Sequence, residues 1–109
     1  MTVSPRLKAL QQQLSETFGL EVSAFDYEQL SKELAVIINH LILNDMNRLW
    51  FILYRVDIAE EFVLKTMAEN TISTAAKILA DALIIRQLQK IESRKNSRSS
   101  PDIPENEKW

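Results

Sequence analysis

Only one glycine, Gly19, occurs among the 109 residues of this chain. Loops that cradle phosphates need several glycines, so that the backbone can come close to the anion. Walker, Rossmann and kinase-type glycine loops are therefore excluded. Two-residue β-hairpins depend on Gly or Asn at positive φ, so a β-rich chain would be hard to turn here. Three prolines and an abundance of Leu, Ile, Ala, Glu and Lys point the same way, to helices. The chain also lacks cysteine, which removes disulfides, zinc–thiolate sites and thiol nucleophiles.

Caps and periodicity place the helices. Ser4-Pro5 is an N-cap followed by proline at the first helical position, and Leu7, Leu10, Leu14 and Phe18 form one stripe that ends at Gly19. A first helix is expected over Pro5 to Phe18. Asp26 caps the second, with Gln29 as its capping-box partner. Its apolar face is Leu30, Leu34, Ile37, Ile38 and Leu41, and it then moves round to Ile42, Met46, Leu49 and Leu53. A break near Asn44-Asp45 or one long helix that changes neighbours both fit. The absence of Pro and Gly favours the long helix.

Asp57-Ile58-Ala59-Glu60 reads as a second capping box, starting a short helix to about Ala68 that buries Phe62, Val63 and Met67. Asn70 or Thr71 caps the last helix. Ile72, Ala75, Ala76, Leu79, Ala82, Leu83, Leu88 and Ile91 face the core, with an end near Arg94. The expected fold is all-α, a bundle of four helices, or five if the second breaks, mostly antiparallel. It forms a single domain over residues 1–95, with 96–109 as a disordered tail. The longest apolar run, Leu49 to Tyr54, is far short of the ~20 residues of a membrane span. Met1 to Leu10 has no signal-peptide core, so a cytoplasmic setting is expected.

Catalytic and metal chemistry find little footing. His40 is the only histidine, and it has no Ser or Thr at helical spacing to activate. Helical di-metal sites use Glu-x-x-His, but Ile37 stands where the Glu would be. A lone helical histidine is most often structural, and scattered Asp45, Asp57 and Asp81 are most often solvated or ion-paired. No catalytic residue, metal or cofactor is expected. Asp45 with Arg48 and Arg55 with Asp57 are candidate ion pairs. They are either exposed and worth ~0–1 kcal/mol, or buried and able to fix helix register.

Two surface features point to partners. Leu43, Trp50 and Tyr54 are spaced i, i+7 and i+11, so that a continuous helix would stack them on one edge, apart from the Ile42, Leu49, Leu53 stripe. A helix apolar on most sides is either central in its bundle or covered by another chain. Aromatic residues are enriched in interface hot spots, although core burial is the commoner fate of a Trp or Tyr. The second feature is basic: Arg86, Lys90, Arg94, Lys95 and Arg98 stand against Glu92 alone, in a chain of net charge −2. Such a ridge suits phosphates of nucleic acid, and equally it complements a helix C-terminus. The leading expectation is a non-enzymatic interaction module, a homo-oligomer or the binder of a protein partner, using Leu43, Trp50 and Tyr54. The alternative is a nucleic-acid-associated accessory protein using the basic ridge.

The strings Leu53-Tyr54-Arg55-Val56-Asp57-Ile58-Ala59-Glu60-Glu61 and Leu79-Ala80-Asp81-Ala82-Leu83-Ile84-Ile85-Arg86-Gln87-Leu88-Gln89-Lys90-Ile91 resemble a group of small uncharacterised all-helical bacterial proteins. The resemblance spans roughly residues 36–94. It implies a helical fold and a bacterial cytoplasmic setting, and it carries no functional residues with it.

Overall fold

A computed structural model of the chain describes residues 4–99, with side chains as far as Ser93. It has five helices: α1 (Pro5–Phe18), α2 (Tyr27–Asn44), α3 (Met46–Val56), α4 (Glu60–Glu69) and α5 (Ile72–Ser99). Helix α1 has its expected bounds. The Leu7 amide donates to Ser4 Oγ at 3.1 Å, and Leu7, Leu10, Leu14 and Phe18 are buried. Gly19 ends the helix at φ 68, which lets its own amide reach Ser15 O and that of Leu20 reach Leu14 O. An L side chain in this left-handed region is strained.

The second helix does break. Asp45 closes α2 through its amide, which donates to Leu41 O at 2.8 Å, and opens α3 through its carboxylate, which accepts from the Arg48 amide at 3.3 Å. Asn44 donates to His40 O at 3.0 Å. Short polar side chains that bond nearby backbone compete with the helical ladder. The interruption thus needs neither Pro nor Gly, and the single long helix favoured by their absence is not formed.

Asp57 does not open a capping box. It ends α3 at φ 66, the one described non-glycine residue with positive φ, and Ile58 N–H then reaches Leu53 O. Asp tolerates this conformation better than most residues. Helix α4 begins later than expected, after Ala59, with no side-chain cap. Glu60 and Glu61 in its first turn suit the positive helix end. Val63 is buried as expected, but Phe62 is 42% exposed.

Helix α5 is the element against which all the others pack: α2 most extensively, then α4, α1 and α3. Its first turn is held by Thr71, whose hydroxyl accepts from the Thr74 amide at 3.2 Å. Ala75, Ala76, Leu79, Ala80, Leu83 and Ile84 are buried along it, whereas Ile72, expected in the core, is exposed. The alanines leave room for neighbouring helices to approach closely. Arg6 pairs with Glu92 and Gln13 with Gln87, so α1 runs antiparallel to α5. Buried Ser31 of α2 donates to Asp81 of α5, which Lys77 also pairs at 3.3 Å. The helix extends through residues 96–99, which had been expected in the tail; no Pro or Gly intervenes before Pro101. The rest of that tail, 100–109, lies outside the described residues. Among the described residues no helix is long and apolar enough to cross a membrane.

Arg48 stitches the start of α3 to the end of α1, its Nη2 donating to Phe18 O at 2.7 Å. A Cβ on Gly19 would meet that same Nη2 at 3.3 Å. Gly19→Ala should therefore combine backbone strain with crowding of Arg48. We expect a loss of about 1–2 kcal/mol in unfolding free energy by chemical denaturation. An unchanged denaturation midpoint would mean that the corner relaxes freely.

Candidate functional site

Helix α3 is two-faced. Leu49, Ile52, Leu53 and Val56 are buried. At 100° per residue these cluster on one side, and Tyr54, Asn47 and Phe51 lie opposite them. Phe51 is 52% and Tyr54 57% exposed. Trp50 lies at the boundary, partly buried against the core, and its ring stacks on Tyr54 with centroids 5.7 Å apart and planes at 29°. The guanidinium of Arg55 sits over the Phe51 ring at 5.7 Å from its centroid, a contact worth roughly 0.5–1 kcal/mol at an exposed site. Tyr54 OH approaches Glu60 Oε1 of α4 at 3.5 Å, the outer limit of a hydrogen bond.

The three residues expected on one edge are thus divided. Trp50 and Tyr54 are together, but Leu43 belongs to α2, on the other side of the break at Asp45. There it is 62% exposed and shares the outer face of α2 with Val36, seven residues earlier. The i, i+7, i+11 alignment required one continuous helix, which Asn44 and Asp45 prevent. Phe51 was missed. Its signal was present three residues before Tyr54, on the side of α3 away from Leu49, Leu53 and Val56.

Neither expected ion pair forms as read. The Asp45 carboxylate is engaged as a cap, and the Arg48 guanidinium goes to Phe18 O. Arg55 turns to Phe51, and Asp57 pairs across the fold with Lys90 of α5 at 3.0 Å and with Arg86 at 3.9 Å. Lys90 Nζ also donates to Arg55 O at 2.7 Å. The corner after α3 is in this way fastened to α5 by one ammonium that satisfies both a carboxylate and a backbone carbonyl. Arg86 has a further tie, donating to Gln89 Oε1 at 2.7 Å.

These contacts change the reading of the basic ridge. Arg86 and Lys90 share the charge of Asp57 and are held in place, so they are less available to phosphates than five free cations would be. The side chains of Arg94, Lys95 and Arg98 lie outside those described. Exposed His40 lies 3.2 Å from Asn44 Nδ2, and among the described residues no group of three or more His, Asp or Glu side chains is placed to hold a metal ion.

The hydrogen bond and charge of Lys90, helped by the charge of Arg86, hold the Asp57 carboxyl below its ordinary value of 3.8, against a smaller opposing effect of desolvation. A carboxyl depressed in the folded state stabilises the fold above its unfolded value, and that contribution is lost as pH falls through the folded one. Wild type should therefore exceed Asp57→Asn in stability at neutral pH, with the gap closing on acidification below 3.8. Unfolding measured across that range checks this, and a gap independent of pH would show that Asp57 acts only through its backbone conformation.

No protein-family model, curated protein or solved structure matches the chain.

Proposed function

We propose that the chain is a helical protein–protein interaction module, without catalytic activity, that self-associates through the outer face of α3. The observation that carries this reading is the position of Phe51 and Tyr54, more than half exposed and directly opposite the buried face of the same helix. Aromatic side chains in such a place contribute little to the fold of one copy. They supply rigid apolar area to a contact. Trp50 braces Tyr54 from the core side, so that ring is already partly ordered before any partner arrives.

Magnitudes set the strength of such a contact. A two-fold arrangement that brings Phe51 and Tyr54 of two copies together would bury about 100 Å² from each of four rings, worth on the order of 10 kcal/mol. That gain is comparable with the ~4–15 kcal/mol cost of bringing two molecules together. Association through these rings is therefore weak, reversible and dependent on concentration, no tighter than roughly tens of micromolar even at the low end of that cost. A cytoplasmic setting in a bacterium belongs to the same proposal, supported by the lack of cysteine and by the resemblance described above.

Light scattering on wild type and on the double variant Phe51→Glu, Tyr54→Glu tests the reading. Both substitutions fall on the exposed face, so helicity by circular dichroism should be preserved. The double variant should raise the dissociation constant by at least about tenfold. Equal association of folded variant and wild type would remove the surface from consideration, as would a wild type that stays monomeric at millimolar concentration. Trp50→Glu is a poorer probe, because Trp50 also packs against the core.

A further inference from the structure

A cavity of about 270 Å³ lies between α1, α3 and α5, lined by Gln13, Thr17, Phe18, Arg55, Gln87 and Lys90. Two of these are cations, three carry neutral polar side chains, and none is a carboxylate. Gln87 is buried to 4% exposure, and its Nε2 donates to Gln13 Oε1 at 2.8 Å. That bond uses the acceptor of Gln13 and leaves its Nε2, a two-proton donor, without an acceptor among the described residues. The Thr17 hydroxyl likewise has no described hydrogen bond. Lys90 is fixed by Asp57 and by Arg55 O, so Asp57 offsets one of the two positive charges. The Arg55 guanidinium pairs with no carboxylate among the described residues and has only its weak contact with Phe51.

Solvent-facing amide and hydroxyl groups therefore share one cavity with an anchored ammonium and with Arg55, which lines it while holding its guanidinium over Phe51. Their chemical complement is an oxyanion, whose several lone pairs accept from planar guanidinium and amide donors. Ordinary ligand pockets run from about 300 Å³ upward, so this one suits a small molecule rather than a segment of a macromolecule. We propose that the cavity between α1, α3 and α5 binds the carboxylate or phosphate group of a small soluble molecule, with Arg55 supplying the neutralising charge and Gln13, oriented by buried Gln87, supplying a neutral donor. The site lies apart from the outward rings of α3 except through Arg55, which can give up its contact with Phe51 at little cost. The proposal does not depend on self-association.

The test is a titration of the isotope-labelled full chain with inorganic phosphate and, separately, with succinate, at constant ionic strength and neutral pH, with chloride as reference. The side-chain amide signals of Gln13 and Gln87 are followed by nuclear magnetic resonance. Saturable shifts with either oxyanion and not with chloride are expected, and the tighter of the two identifies the preferred group. Arg55→Gln, at an exposed position, should weaken binding about tenfold or more, as for loss of a charged hydrogen-bond partner. Thr17→Val, also exposed, should weaken it less. Shifts that fail to saturate or that match chloride would overturn the proposal, as would saturable binding left unchanged by Arg55→Gln.

Discussion

The fold depends on close packing around α5. Four helices pack against this one, and three of them, α1, α3 and α4, are of a length that is at best marginal alone in water. The buried row Ala75, Ala76, Leu79, Ala80, Leu83 and Ile84 gives the spine alternating small and large contacts, with Ala80 and Leu83 fully enclosed. A larger side chain at Ala80 would have to push neighbouring helices aside, at a typical cost of about 1–3 kcal/mol. Polar contacts then select register on this apolar base. Ser31 meets Asp81, Gln13 meets Gln87, and Asp57 meets Lys90, so α2, α1 and the corner after α3 are each fixed at a different height along α5.

Helix starts and one helix end were legible because their chemistry is local. Ser4, Asp26 and Gly19 act through hydrogen bonds to residues only a few positions away, and the chain carries those partners in sequence order. The break at Asn44-Asp45 rests on local hydrogen bonds that compete with an equally local helical ladder, and the turn at Asp57 was harder for a further physical reason. Asp favours both a cap and a left-handed turn, and which it adopts depends on a partner far along the chain. For Asp57 that partner is Lys90, thirty-three residues later, and sequence spacing gives no access to it. A capping-box pattern was present at 57–60, but the long-range ion pair and the αL conformation prevailed over it.

The surface was legible in part for the same reason. Trp50 and Tyr54 are one turn apart within α3, and the structure stacks them as their spacing requires. Leu43 was separated from them by a break of non-local consequence, and Phe51 was hidden inside an uninterrupted apolar run that reads as core. Distinguishing the two faces of that run needs to know which side meets α5. Likewise, the basic ridge was read from charge alone, whereas the availability of Arg86 and Lys90 is decided by where Asp57 turns. Core-facing positions are set by helical period, but exposed function is set by how helices meet.

The proposed self-association assigns one face of α3 to another copy of the chain rather than to the fold of one. Side-chain resonances of Phe51, Tyr54 and Trp50, followed as wild-type protein is concentrated, test it most directly. Self-association through this face gives concentration-dependent shifts centred on these rings, while Val36 and Leu43 on α2 and Ile85 on α5, also exposed, stay unchanged. Shifts centred on those other residues, or none at any concentration, would contradict it.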